Sequence, residues 1–503
     1  MTPHENHHAQ RGQNISAATP GIYRGRECLR SSRISPSPYP RAIAPPSRSL
    51  SGVTGHDAPE PDSRFSTAAM AVGPDSTPVP RRRVFSWALW DWGSAAFNAV
   101  ATTFVFTVYL TSSSFGDNTA SSQALSTALT IAGLIVLVIA PVTGQRTDAS
   151  AHRKLWLAVN TAVVVVMLGL TVFVRADPAF LWFGLVLLGV GTVFFELAGV
   201  NYNAMLAQVS TPATVGKVSG FGWGMGYLGG IVLLLIVYFG FIHPDVGLFG
   251  VTGTDGLDVR ISMLVAAAWF AVFAIPVLIA VPENKPAPGR ARVGILHSYA
   301  VLFRDIASLW RDSRHTVYFL LASAIFRDGL TGVFTFGGVL AAGTFGFSAG
   351  EVIIFAIAAN IVAGIATMSS GTLDDRFGPK PLIVISLIGL VVSGSLVFFL
   401  HAGGPTMFWI FGLILCLFVG PAQSASRTFL ARLIPPGREG EVFGLYATTG
   451  RAATFIAPAM FGLFVTIGGA QYWGILGIVL VLLVGLILLL PVHSRQEQLR
   501  HRD

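Results

Sequence analysis

The sequence predicts an all-α membrane protein that crosses the bilayer twelve times. Of its 503 residues, 52% are hydrophobic and only 12% are charged, whereas a soluble domain carries roughly 25% charged residues. From Phe85 onward, twelve apolar stretches are long enough to form spanning helices, each of which needs about 20 residues. Strands of a membrane barrel would be about half that length and would alternate apolar and polar residues. Helices are therefore predicted throughout.

Each predicted span is bounded by a short polar segment. The spans are, in order, 85–110, 122–145, 154–174, 179–206, 217–240, 260–281, 316–343, 349–371, 379–401, 406–430, 440–465 and 470–491. The net charge of +8 comes from Lys and Arg in the short connections between spans, so a nucleic-acid partner is excluded. The two cysteines, Cys28 and Cys416, form no disulfide framework or metal-binding spacing.

The distribution of Lys and Arg predicts the orientation of the spans. One set of connections is rich in basic residues, including Arg81 to Arg83, while the other set holds only Arg175 and Arg260. Basic loops stay on the cytoplasmic side of a membrane. Both termini are therefore predicted to be cytoplasmic, and the even number of spans agrees with this.

Composition also predicts the domain organisation. Residues 1–80 are rich in Pro, Ser, Arg and His and are predicted to be a disordered tail, with Met70 as an alternative start. Two six-helix bundles, 81–281 and 316–491, flank a cytoplasmic linker at 282–315, and a tail at 492–503 follows. Segment 295–312 of the linker is amphipathic and basic, which predicts a helix on the inner membrane surface.

Two internal matches indicate that the halves are repeats. Gly144 and Asp148 in the segment "GQRTDASAHRK" match Gly371 and Asp375 in "GTLDDRFGPK", at an offset of 227. In the fifth and eleventh spans, "GKVSGFGWGMGY" matches "GEVFGLYATTGR" at an offset of 224. Two matches at nearly one offset predict duplicated, pseudo-symmetric halves.

The segment "GTLDDRFGPK" resembles the signature loop of the major facilitator superfamily, G-x-L-x-D-R-x-G-x-K. The first copy departs from the pattern at Ala149 and Ala151. The segments "WALWDWGSAAFNA", "VSGFGWGMGYLGG", "FRDGL", "SRTFLARLIP" and "FGLYATTG" are similar to the vacuole-effluxer-like branch. That branch contains a fungal vacuolar amino-acid effluxer and bacterial relatives. The resemblance covers about 85–491 and implies a twelve-helix transporter, monomeric, in the plasma membrane of a bacterium.

The resemblance also implies a conformational latch that ties neighbouring helices together on the cytoplasmic side. An acid such as Asp375 can favour one arrangement by facing a helix N-terminus or an arginine. The alternative is a tight turn whose basic residues only set topology. The latch residues implied by the two copies are Gly144, Asp148, Arg153, Gly371, Asp375, Arg376 and Lys380.

Several charged residues lie deep inside the predicted spans, where charges are rare and face a cavity or a partner. The resemblance implies that spans one, four, seven and ten line a central cavity. The residues predicted for a substrate or proton pathway are Asp91, Asn98, Glu196, Tyr202, Asn203, Arg327, Asp328, Gln423, Ser426, Arg427 and Arg451. The alternative is buried structural pairing, for instance of Asp328 with Arg451.

Two further patterns concern helix packing. Gly222, Gly226 and Gly230 recur on one helix face, and small residues at that spacing let helices approach closely; a gating hinge is the alternative. Trp87, Trp90 and Trp92 are expected either in an aromatic belt at the membrane interface or against a ligand, with the belt favoured for Trp87.

Together these features predict a secondary transporter of a small polar solute. A mixture of acids and guanidiniums suits a zwitterion such as an amino acid, and Asp91, Glu196 and Asp328 are candidate proton carriers for coupled efflux. No P-loop segment is present in the sequence, and no cofactor or metal is predicted. An exporter of apolar or cationic compounds is the alternative. A membrane-embedded enzyme or receptor would need a catalytic or metal-binding set that the spans lack.

Overall fold

The computed structural model describes residues 79–150, 152–210, 214–283, 295–434 and 439–493. The regular elements in this part of the chain are all helices. Of the predicted terminal and linker segments, residues 1–78, 284–294 and 494–503, with Met70 among them, lie outside the described residues.

Twelve of the described helices are long and apolar enough to cross a membrane. Predicted and observed ends agree to within a few residues; the largest difference is at the sixth helix, predicted from residue 260 but starting at Thr254. The spanning helices are α1 (Arg81–Leu110), α2 (Asn118–Ala140), α3 (Arg153–Phe173), α4 (Pro178–Ala204), α5 (Val218–Ile242), α6 (Thr254–Ala280), α7 (Arg314–Gly343), α8 (Ala349–Asp374), α9 (Pro379–Phe399), α10 (His401–Leu433), α11 (Val442–Gly468) and α12 (Gln471–Leu489).

Helices α1 and α11 depart from α-helical geometry partway along their length. Helix α1 changes from α-helical (Arg81–Ala95) to π-helical (Ala96–Phe104) and back (Phe106–Leu110). Helix α11 is broken, because one α-helical segment ends at Ala452 and the next begins at Ile456. The corresponding part of α5 is one continuous α-helix, Val215–Val237. The two halves therefore differ locally within a shared architecture.

The two signature segments were predicted as loops, and this is wrong for most of their length. The backbone after α2 stays helical to Ser150, and the backbone after α8 stays helical to Phe377. Gly144 and Gly371 lie within these helical stretches without ending them. The chain turns at Gly378, whose φ of +85° suits glycine, and Pro379 begins α9 at a position that proline favours.

The amphipathic linker segment forms the predicted helix, Ile295–Asp312. It packs near the C-terminal half of α2, where the Tyr299 hydroxyl donates a hydrogen bond to the Val138 carbonyl. Phe303 on this helix is exposed. The placement of the helix on a membrane surface stays a prediction.

The glycine face of α5 packs against α1, as predicted. A Cβ on Gly229 would lie 2.5 Å from the Trp92 carbonyl oxygen, and one on Gly222 would lie 2.8 Å from the Trp87 ring. The backbones of the two helices therefore meet at a distance that only glycine allows. Since α5 is continuous here, this face serves packing.

The two halves repeat the same packing. A Cβ on Gly226 in α5 would meet Asp91 of α1, and one on Gly450 in α11 would meet Arg327 of α7. Likewise, Gly93 of α1 faces α6, and Gly329 of α7 faces α12. These matched contacts place Asp91 and Arg327 at equivalent positions in the two six-helix bundles.

The bundles meet at one end of the molecule, here named the outer end. This end contains loop 111–117, loop 344–348 and Gln471. The opposite end contains Pro80 and His493. Gln471 is only 5% exposed; its side-chain nitrogen donates to Ser122 Oγ at 2.8 Å, which joins the two bundles. Its side-chain oxygen accepts from Thr344 Oγ1 at 2.8 Å. These contacts close the outer end.

Candidate functional site

A polar face runs along the central helices between the two bundles. Asn98 lies halfway along α1 and is exposed, although 83% of the apolar part of that helix is buried. Thr331, one turn after Arg327 on α7, is also exposed. Exposed polar groups at this depth indicate a cavity between the bundles. The opposite end, which holds Pro80 and His493, is here named the inner end.

The π-helical segment of α1 shapes this face. The Asn98 carbonyl accepts from the hydroxyls of Thr102 at 2.9 Å and Thr103 at 2.6 Å. Single π-helical turns occur often at functional sites. Asn98 was predicted from the sequence, but this backbone irregularity was not, because no residue type specifies it.

Asp91 is half-buried on α1 and accepts a hydrogen bond from Tyr202 of α4. The distance from the Tyr202 hydroxyl to Asp91 Oδ2 is 2.9 Å. The other carboxylate oxygen, Oδ1, accepts no hydrogen bond from the described residues. The structure thus brings two of the predicted pathway residues together and leaves one oxygen available.

Tyr202 is held between two tryptophans. Its ring stacks on Trp87 at 4.5 Å and on Trp90 at 4.3 Å between centroids. The Trp87 indole N–H donates to the Tyr202 carbonyl at 3.2 Å. The belt expected for Trp87 is therefore wrong, since this side chain is 2% exposed; stacking on Tyr202 stabilises it in the core.

Arg327 lies on the C-terminal side of the cavity, against Tyr446 of α11. Its Nη1 donates to the Tyr446 carbonyl at 3.2 Å, and its guanidinium carbon lies 4.1 Å from the ring centroid. The Tyr446 hydroxyl is 2.6 Å from the Ser426 hydroxyl. This cation–π contact positions the guanidinium.

Arg427 of α10 lies over Trp223 of α5, which belongs to the other bundle. The guanidinium carbon is 5.0 Å from the centroid of the indole ring. This contact joins α10 of one bundle to α5 of the other.

Arg451 pairs with Glu196 across the two bundles. Arg451 Nη1 donates to the Glu196 carboxylate and, at 2.8 Å, to the Glu196 carbonyl. The alternative hypothesis that Asp328 pairs with Arg451 is therefore wrong. The breaking of α11 after Ala452 separates these two groups, so that Arg451 faces α4 instead.

Asp328 lies apart from the cavity residues. It is 4% exposed, and its Oδ2 accepts a hydrogen bond from the Ala457 backbone N–H at 2.5 Å. Ala457 is the second residue of the α11 segment that starts at Ile456. Asp328 therefore caps a helix N-terminus from a neighbouring helix.

The remaining predicted pathway residues have no such contacts among the described residues. Asn203 is exposed near the inner end of α4, and Gln423 is half-buried one turn before Arg427. Both lie on helices of the proposed cavity.

The predicted latch residues are only partly described. The side chains of Asp148 and Asp375 and the surroundings of Gly144 lie outside the described residues, and Gly371 has open space around it. Arg153 donates to the Ala204 carbonyl at 3.1 Å, and Lys380 donates to the Leu490 carbonyl at 2.9 Å. The Arg376 guanidinium lies over the Phe377 ring at 5.3 Å.

An acid that was not predicted from the sequence forms an ion pair beside this segment. Asp374 is buried and lies 3.4 Å from the Arg432 guanidinium on α10. Trp223 and Tyr446, the two rings under the cavity arginines, were also missed. Each copy of the glycine-rich repeat contains one of these two aromatic residues, and that pattern could have predicted them.

The fold is that of the major facilitator superfamily. A solved D-xylose–proton symporter superposes with a TM-score of 0.62 at 15% identity, over 82% of this chain and 98% of that one. A variant of the nucleoside transporter NupG gives a TM-score of 0.58 at 14% identity, over 82% of this chain and 100% of that one. These likenesses establish the fold alone.

Sequence comparison identifies the family. Residues 207–500, more than half of the chain, match the profile described as "Vacuole effluxer Atg22 like", and the chain belongs to that family. An uncharacterized MFS-type transporter YxiO of Bacillus subtilis is 22% identical over 80% of this chain and 93% of its own length.

A fungal relative matches over a shorter region. Autophagy-related protein 22 of Cryptococcus neoformans is 26% identical over 56% of this chain. The chain spans about half the length of this relative, 53%. The protein is thus a multi-pass integral membrane transporter of the major facilitator type.

Proposed function

We propose that this protein exports a small polar solute, an amino acid, by alternating access coupled to protons. The observation that carries the proposal is the polar face between the bundles, where Asp91, Arg327 and Arg427 accompany the exposed Asn98 and Thr331. The family description as a vacuole effluxer supports the direction of transport. The closed outer end supports alternating access, because one of the two states that this mechanism requires is closed at that end.

The proposed location is the plasma membrane of a bacterium. The bias of Lys and Arg toward one set of connections supports an orientation with both termini in the cytoplasm. The solute and protons are the expected small-molecule partners, and the transporter is expected to act as a monomer. The nearly full-length match to a Bacillus subtilis transporter supports a bacterial setting.

An exporter of organic cations is the second candidate, because aromatic rings surround Asp91. However, Trp87 and Trp90 use their faces to hold Tyr202. Two guanidiniums in the same cavity would also repel a cation. The charges of the cavity therefore favour the zwitterion.

The test is transport by the purified protein in proteoliposomes. Radiolabelled amino acids are offered with and without an imposed pH gradient, and protein-free liposomes serve as the control. Amino-acid accumulation that depends on the gradient is expected. Equal accumulation in both conditions would exclude proton coupling, and no uptake of any amino acid would overturn the substrate class.

A further inference from the structure

Arg427 is a guanidinium within a spanning helix that has no hydrogen-bond acceptor among the described residues. It lies six residues before Leu433, the last residue of α10, roughly 9 Å from that helix end. Its direct contact is the face of Trp223. The other two cavity arginines differ, since Arg327 donates to Tyr446 and Arg451 donates to Glu196.

The donors of Arg427 are not fully enclosed by the protein. A guanidinium carries five N–H donors in its plane, and contact with a ring face leaves that edge unused. None of the sealed, unpaired polar atoms in the described part of the chain belongs to Arg427. Its donors therefore face the cavity, where an acceptor can approach.

An unpaired charge within a membrane-spanning helix raises the free energy of the protein unless a partner compensates it. The indole face supplies part of the compensation, but it satisfies no N–H group. A carboxylate matches the fork of a guanidinium with two parallel hydrogen bonds. The open edge of Arg427 therefore fits a carboxylate better than a hydroxyl or an amide.

Asp91 lies close to this arginine. A Cβ placed on Gly222, the residue before Trp223, would lie 3.0 Å from Asp91 Oδ2, so the acid and the ring under Arg427 belong to neighbouring positions of α5. Glu196 and Arg451 neutralise each other. Arg427 and Asp91 thus offer a positive and a negative group to one solute.

We infer that Arg427, supported by Trp223, binds the carboxylate of the transported solute. Asp91 Oδ1, which accepts nothing from the described residues, takes the ammonium group of the same solute. The inference rests on the proposed function and specifies its ligand as a zwitterionic α-amino acid. Tyr202 orients Asp91 through its hydroxyl at 2.9 Å.

Equilibrium binding to the full-length protein in detergent tests this inference without requiring transport. The probes are glycine, L-alanine, L-leucine and L-phenylalanine, their α-amides, and the matching acids without the amino group. We expect the wild type to bind at least one amino acid, and to bind its amide about 10- to 100-fold more weakly, because the amide lacks the charge-assisted bonds.

The variants assign each charge to its partner. Arg427→Gln is expected to lose the preference for acid over amide, and Arg427→Lys to retain part of it. Asp91→Asn is expected to lose the preference for the amino acid over the acid without an amino group. Arg304→Gln, which removes an exposed charge on the linker helix, is the matched control and should bind as the wild type does.

Two results would overturn the inference. One is wild-type affinity for amino acids in a folded Arg427→Gln protein, with folding checked by its thermal unfolding midpoint. The other is binding of amides as tightly as amino acids by the wild type. Arg427-dependent binding without any transport in proteoliposomes would instead overturn the proposed function and leave the carboxylate site standing.

Discussion

Residues at equivalent positions of the two halves form different contacts. Asp91 and Trp92 in α1 correspond to Arg327 and Asp328 in α7, because each pair precedes a glycine that faces the last helix of its bundle. Asp328 caps the second segment of α11. The N-terminal half has Trp92 at that position, and α5 is unbroken. The acid and the broken helix thus occur together.

Asp328→Ala is expected to destabilise the protein by about 0.5–2 kcal/mol, the usual cost of losing an N-cap. Asp328→Asn should stay closer to wild type, since its amide oxygen can still accept from Ala457. The measurement is the thermal unfolding midpoint in detergent. Ser323→Ala is the control, because that hydroxyl bonds only within α7. Equal losses for Asn and Ala would show that the contact is not a cap.

At the scale of the helices, glycines determine how closely α5 and α1 approach. A Cβ added to Gly229 would meet the backbone of Trp92, which cannot move aside, whereas a Cβ added to Gly224 on the same helix would have nothing within 4 Å. The same substitution should therefore have opposite consequences at two positions five residues apart.

Gly229→Ala is expected to lower stability by about 1–3 kcal/mol, the range found for overpacking. Gly224→Ala should be neutral or stabilising, because alanine favours a helix over glycine by up to about 1 kcal/mol. Unfolding midpoints of the two variants, purified side by side, make the comparison. A neutral Gly229→Ala would contradict the close approach of α5 and α1.

At the scale of the whole molecule, the two bundles are joined by polar contacts at the outer end. Ser122 is fully buried and accepts from Gln471 across the interface. An outward opening must break this hydrogen bond, while the contact of Gln471 with Thr344 remains inside one bundle. The bond therefore stabilises only the outer-closed state.

Ser122→Ala leaves the Gln471 donor unpaired in the closed state, at a cost of about 1–3 kcal/mol. This corresponds to about a 5- to 150-fold shift in population toward the outward-open state. Spin labels at Ser114 and Ala349, both exposed at the outer end, should report a larger fraction of long distances.

Ser112→Ala is the control for this measurement, because the Ser112 hydroxyl donates to the Tyr109 carbonyl within the same bundle. Its distance distribution should match that of the parent protein. An unchanged distribution in Ser122→Ala would mean that the Gln471 bond does not select the closed state.

The twelve helices and the repeat were predictable because both depend on local composition. Apolar stretches of spanning length allow few alternatives to a helix in a membrane, and a repeated glycine pattern is visible in one dimension. The signature segments were misassigned as loops because a polar segment at a helix end can remain helical until a breaker such as Gly378 occurs.

The partners of the charged side chains depend on tertiary structure. The sequence alone showed which charged side chains lie inside the spanning helices, including Asp91, Arg427 and Arg451. The packing of the bundles was needed to establish that Arg451 faces Glu196 and that Arg427 faces an indole ring. Helix periodicity defines the face of a side chain, but the rotation and approach of two helices far apart in sequence determine what that face meets.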